Sequence, residues 1–231
     1  MNYFDKEDYE NSVLLPKAND IVGFFDPAIV LKSGRPGHWY INMRSAVNSL
    51  PERRRLAKFI YDFAVDNQIE PDYFMGVPDG ATPVGVQLNM LHAERNDEHR
   101  IPGGILRSGA KAHGIPSDRY SVGSLPADSH VVLVEDVTTT GGSSMEFILR
   151  LQEIGVYVDA LISCASRYER RDRGRTVQDV LERDYGVPYF PLTDARRILP
   201  KAIERDKPPA SLIKDIEDYY KRYGIEPLKL S

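Results

Sequence analysis

Hydrophobic and polar positions along this chain alternate between two periods, in a regular order. After Ser49, residues Leu56, Phe59, Ile60, Phe63 and Ala64 recur at helical spacing on one face, with Ser49 as cap and Pro51 in the first turn. Residues 73–77 form a short apolar run, followed by the turn Pro78-Asp79-Gly80 and a helical stretch to about Arg95. Residues 104–107 are another short run. Residues 130–134 read as a buried strand, with a Gly/Thr/Ser turn and a helix through Gly155 behind it. Residues 157–165, apolar and β-branched, predict a strand. Residues 176–185 predict a helix, with Thr176 and Asp179 spaced for a capping box, and 189–192 a short strand. Residues 208–223 carry Leu212, Ile213, Ile216 and Tyr220 on one face and predict a surface helix. Residues 1–30 show no clean period and read as a helix or two with connections.

Strands alternating with helices predict right-handed βαβ units. The fold class is therefore α/β, with a central, mainly parallel sheet flanked by helices on both faces. Residues 108–125 fit no period and are rich in glycine and charge. A stretch of that length between elements reads as a lid.

Composition narrows the class. The 231 residues are 42% hydrophobic and 28% charged, an ordinary globular balance. Cys164 is the single cysteine, so neither an intramolecular disulfide nor a cysteine zinc site can form within one chain. That suits a reducing, cytoplasmic setting. No apolar run approaches the ~20 residues of a membrane span, and the acidic start lacks the apolar segment of a secretory signal. A net charge of -4 argues against bulk attraction to nucleic acid.

The most informative string runs from His130 through Val-Val-Leu-Val to Glu135, Asp136, Val137, Thr138, Thr139, Thr140, Gly141, Gly142, Ser143 and Ser144. It describes a buried strand ending in two carboxylates, then a small-residue turn entering a helix. Ligands of open parallel sheets bind beyond the carboxyl ends of strands. A Thr/Gly turn at a helix N-terminus offers N–H groups, hydroxyls and a favourable dipole to an anion. The two acids repel phosphate but suit ribose hydroxyls or a hydrated Mg²⁺. Together they describe a site for a phosphorylated sugar. Neither a Walker loop nor a Gly-x-Gly-x-x-Gly turn is present.

This string resembles the phosphoribosyl diphosphate (PRPP) signature of the type I phosphoribosyltransferases. The resemblance implies that Glu135 and Asp136 contact the ribose hydroxyls. It implies that Thr138, Thr139, Thr140, Gly141, Gly142 and Ser143 cradle the 5-phosphate. The stretch from Arg107 to Gly114, with Lys111 and His113, is similar to the mobile loop of the orotate phosphoribosyltransferases. Ser108 and Gly109 stand where those proteins usually carry a further lysine. The resemblance implies that Arg107, Lys111 and His113 are catalytic, neutralising the departing pyrophosphate. Residues 31–35, followed by Trp39-Tyr40-Ile41-Asn42, resemble the family's N-terminal base-binding segment. On the residues alone they read as a hairpin with a solvated Lys32 and a core Trp39. Arg167, after the strand ending near Ala165, matches an arginine that contacts orotate, and a guanidinium fork suits its carboxylate. The implied base site is thus Lys32, Tyr40, Thr139 and Arg167. Residues 75–83 occupy the family's first phosphate-binding turn, with amides available to pyrophosphate.

The resemblance implies one domain over 1–231: an N-terminal hood over about 1–50, an α/β core over about 51–200 and a C-terminal helix over about 201–231. It implies transfer of phosphoribosyl from PRPP to orotate, giving orotidine 5'-monophosphate. Mg²⁺ would be held mainly by PRPP and water, with no direct protein ligand. The partners implied are PRPP, orotate and a second copy lending loop residues, with no nucleic acid and no membrane. Two alternatives stay open: a phosphoribosyltransferase for another base, and a non-catalytic PRPP- or nucleotide-binding regulator. Cys164, in an apolar strand, reads as a core residue and not a nucleophile.

Overall fold

The structure, a computed structural model, describes residues 3–96, 101–113, 119–171 and 174–231. It opens with α1 (Lys6–Tyr9), a π turn (Glu10–Leu14) and a 3-10 turn (Lys17–Asn19). The antiparallel hairpin β1 (Val22–Val30) and β2 (Pro36–Ile41) comes next. The helical expectation for residues 1–30 thus holds only for its first part. In β1 the residues are mostly half-exposed and a register shift falls between Phe24 and Ile29, which erases any alternation. Its pairing comes from β2, where Gly37, Trp39 and Ile41 are buried in strict alternation.

A 3-10 turn (Met43–Val47) leads to α2 (Leu50–Asp66), which opens with a Ser49–Glu52 capping box and Pro51 at its start. Then come β3 (Tyr73–Gly76), α3 (Thr82–Asn96), β4 (Ile105–Leu106), β5 (Ser121–Val122), β6 (His130–Thr138) and α4 (Gly142–Glu153). The chain closes with β7 (Tyr157–Ser166), α5 (Val177–Asp184), β8 (Tyr189–Pro191), α6 (Ala195–Asp206) and α7 (Ala210–Tyr223). The capping box of Thr176 and Asp179 forms as the spacing predicts.

The central sheet is parallel throughout, in the order β3-β6-β7-β8. Its β-strand faces divide the core. Phe74, Val132, Val134, Ala160 and Ile162 face one layer, with α2, α3, α6, α7 and the hairpin. Tyr73, Met75, Val131, Leu133 and Leu161 face the other, with α4 and α5. Among the described residues, residues 105–106 are not part of this sheet: β4 pairs with β5, as a separate two-stranded arm. Helix α6 is not apparent from the periodicity, because Pro200 lies inside it and charges flank its narrow buried stripe of Ala195, Ile198, Leu199 and Ala202.

The N-terminal segment is stapled to α6. The carboxylate of Glu10, fully buried, accepts from the Thr193 hydroxyl at 2.5 Å, Arg197 Nε at 2.6 Å and Lys201 Nζ at 2.7 Å. Helix α7 packs on β2 with Leu212, Ile216, Tyr219 and Tyr220 buried, so it covers the hairpin. Cys164 is buried in β7, with its thiol pushed well above its usual range by burial. Among the described residues no helix is long and apolar enough to cross a membrane.

Candidate functional site

Strand β6 delivers Glu135 and Asp136 to the carboxyl edge of the sheet, and the chain then turns through residues 139–141 into α4. Gly141 caps α4 with φ +68°, a left-handed backbone that glycine adopts without penalty. A Cβ there would also meet Val177 Cγ1, in the first turn of α5, at 3.0 Å.

The two acids are held in low-dielectric surroundings. Glu135 is 8% exposed and accepts from the Ser144 hydroxyl. Burial, and then the neighbouring Asp136 charge, push its pKa up to about 8, against the pull of Lys32. Asp136 is raised too, chiefly by burial, and is opposed by a hydrogen bond from the Val137 N–H at 2.8 Å and by the charges of Arg44 and Lys32. The β3–α3 turn presses against this acid from the side. A Cβ on Gly80 would lie 2.1 Å from Asp136 Oδ2, so any side chain there must displace the carboxylate. In that turn the peptide between Pro78 and Asp79 is cis.

Lys32 reaches across from the β1–β2 hairpin, and its Nζ donates to Ser143 Oγ at 2.8 Å. It therefore touches the phosphate-type turn itself. The hairpin reading with a core Trp39 holds. Tyr40 is 38% exposed, on the face of β2 opposite to Trp39.

Arg167 is 2% exposed. Its Nε donates to Glu169 Oε1 at 2.7 Å and its Nη1 to the Trp39 carbonyl at 3.1 Å, while the guanidinium lies 4.4 Å from the Trp39 ring centroid. Its Nη2 has no hydrogen-bond acceptor among the described residues. Glu169 is shared with Arg35, at 2.8 Å. The Tyr220 hydroxyl donates to the Arg167 carbonyl at 2.8 Å, which ties this segment to α7.

The β4–β5 arm carries Arg107 and Lys111. Arg107 Nε donates to the Ser121 carbonyl at 3.0 Å, and the Lys111 N–H to the Arg119 carbonyl at 2.8 Å. Both side chains line a cleft of about 570 Å³ that they share with Ser108, Gly109, Asp79 and Thr82 of the β3–α3 turn. The same β3–α3 turn that lines this cleft packs on Asp136 through Gly80. His113 is exposed at the end of a described stretch, and Gly114 lies outside the described residues.

Three residues of this neighbourhood escape sequence reasoning. Arg44, in the 3-10 turn after β2, offsets the charge of Asp136. Ser144 hydrogen-bonds Glu135, and the Arg171 Nη1 donates to the Thr140 carbonyl. Arg171 is hidden in a run of arginines, Arg44 carries no local pattern, and the pairing of Ser144 depends on the helix register. The arrangement as a whole sets a carboxylate pair, an anion-type turn and cations from three separate segments around one sheet edge.

No protein-family model matches the chain. It is 30% identical over 162 residues to the orotate phosphoribosyltransferase of Streptomyces coelicolor, spanning 70% of this chain and 82% of that protein. It is 29% identical over 197 residues to the orotate phosphoribosyltransferase of Klebsiella pneumoniae, spanning 84% and 89%. The crystal structure of orotate phosphoribosyltransferase from Aeropyrum pernix superposes with a TM-score of 0.61 at 26% identity, covering 80% of this chain and 94% of that one.

Proposed function

From the premise that this chain belongs to the orotate phosphoribosyltransferase family, we propose that it transfers the phosphoribosyl group of PRPP to orotate, forming orotidine 5'-monophosphate and pyrophosphate. The observation that carries this reading is the join between two neighbouring loops. Asp79 and Thr82 line the Arg107/Lys111 cleft, and Gly80, between them in the same turn, packs against Asp136 of the acid pair.

In the reaction, orotate N1 forms a bond to ribose C1 while the C1–O bond to the diphosphate breaks. The departing oxygen keeps the electron pair, so negative charge grows on pyrophosphate and positive charge on the ribose. Stabilising both is the catalytic task. Lys111 and Arg107, with His113, neutralise the leaving group when the arm closes and excludes water. Glu135 and Asp136 bind the ribose hydroxyls. Thr138, Thr139, Thr140, Gly141, Gly142 and Ser143 hold the 5-phosphate at the α4 N-terminus. Lys32, Tyr40, Thr139 and Arg167 hold the base. The unpartnered, buried Nη2 of Arg167 supports that role, since a charged donor without an acceptor is costly unless a ligand supplies one.

The adjacent acids suit a hydrated Mg²⁺ carried mainly by PRPP and water, which they would meet through its waters and not as direct ligands. When bound, Mg²⁺ supplies charge neutralisation on the diphosphate.

The reading extends to a single-domain, cytoplasmic enzyme acting as a homodimer. Met90 and Val86 are exposed on α3, beside an apolar cleft of about 340 Å³ against residues 101–106, a surface suited to a second copy. Sedimentation at micromolar concentration checks the dimer. The activity is checked by PRPP- and Mg²⁺-dependent loss of orotate absorbance. Absence of turnover with any divalent metal rejects the proposal.

A further inference from the structure

The Thr140–Gly141 peptide is held from behind by a residue outside the phosphate turn. The Nη1 of Arg171, in the connection between β7 and α5, donates to the Thr140 carbonyl. A trans peptide is planar, with its C=O and N–H pointing in opposite directions. Binding the carbonyl on the Arg171 side therefore aims the Gly141 N–H the other way. It also keeps a carbonyl dipole, which repels phosphate, turned toward a cation.

Arg171 is itself well placed. Its N–H donates to the Arg175 carbonyl at 2.8 Å, and its carbonyl accepts from the Gly174 N–H at 3.2 Å. Gly174, just before the cap of α5, takes φ +75°. The Arg175 guanidinium is forked onto Asp184 at 2.7 and 3.0 Å and bonds the Asp179 carbonyl at 3.0 Å. The base of Arg171 thus rests on α5. Independently, Val177 at the start of α5 packs against Gly141, where a Cβ would stand 3.0 Å from its Cγ1. Two contacts, a charged one from the connection before α5 and an apolar one from α5 itself, bear on neighbouring residues of one turn.

We propose that Arg171 is a positioning residue for PRPP: through the Thr140 carbonyl it fixes the turn that receives the 5-phosphate. This rests on the functional reading above for the identity of the ligand. It adds a role for a side chain that resembles, by sequence, one more member of an arginine run.

The test compares R171Q and R171K with wild type in steady-state kinetics and in calorimetric titration with ribose 5-phosphate, which needs no turnover. The expected result for R171Q is a KM for PRPP raised about tenfold, equivalent to about 1.4 kcal/mol, with kcat nearly unchanged. Ribose 5-phosphate affinity should fall by a similar factor. R171K, which keeps a cationic donor, should recover part of both. A folded R171Q with unchanged ribose 5-phosphate affinity overturns the proposal, as does a loss of thermal stability with no change in KM. If the wild type binds ribose 5-phosphate but never consumes orotate, the functional reading fails while the titration still decides the role of Arg171.

Discussion

The ammonium of Lys32 donates to the hydroxyl of Ser143 across 2.8 Å, joining the N-terminal hairpin to the first turn of α4. A lysine read as a base ligand therefore also contacts the turn proposed to hold the 5-phosphate. K32A should raise the KM for PRPP about tenfold, the scale of one hydrogen bond to a charged group. The rise should be at least as large as that for orotate. Initial rates with each substrate varied in turn measure this, and an effect confined to orotate would make the Ser143 contact incidental.

Glu135 makes stability depend on pH in a direction opposite to that of most carboxylates. Its folded pKa is raised from 4.5 to about 8. Between these values the folded state holds a proton that the unfolded chain releases, so stability falls as pH rises through this window and levels off above it. E135Q removes the titrating group. It should match wild type near about pH 4 and exceed it in urea melts near about pH 9, while binding PRPP more weakly. Parallel curves at both ends would refute the assignment.

Gly80 has no room for a side chain, with Asp136 Oδ2 2.1 Å from where a Cβ would stand. G80A must push Asp136 aside. The expected outcome is a kcat/KM for PRPP lowered by about tenfold or more, equivalent to about 1.4 kcal/mol of transition-state binding.

Lys111 lines the cleft from an exposed arm. K111A should lower kcat by about a hundredfold, as loss of one group facing developing charge does. Surface substitutions of this kind shift stability by only about 0.5 kcal/mol. Pyrophosphate release and a urea melt on the same preparation separate the two.

Glu169 has no exposed side-chain surface and serves both Arg35 and Arg167. Removing one partner of a buried ion pair leaves a charge uncompensated. E169A should therefore cost about 3–5 kcal/mol, read as a lowered urea midpoint, with the KM for orotate rising in parallel.

What was legible beforehand followed from periodicity. Strands β3, β6 and β7 are largely buried runs with turn chemistry on either side, and the caps at Ser49 and Thr176 are local signals. The Glu135–Ser143 string is contiguous, so its chemistry could be read in line. Other features depend on distant pairing. Strand β1 exists because β2 supplies its partner. Helix α6 hides behind Pro200 and a stripe of only four buried residues. The closure of Arg167 beneath Trp39 and Tyr220 joins positions far apart in the chain. Arg171 acts through a carbonyl, and a carbonyl has no residue type to recognise.

Arg167 and Arg171 stand four residues apart on one stretch of chain, the first locked into the hairpin and α7, the second onto the phosphate turn. Occupancy at one end of the ligand therefore bears on the segment that shapes the other. Such coupling is reciprocal: whatever factor PRPP adds to the affinity for orotate, orotate returns to PRPP. On the roles proposed above, the five-residue span predicts substrate synergy: each substrate should bind more tightly in the presence of the other.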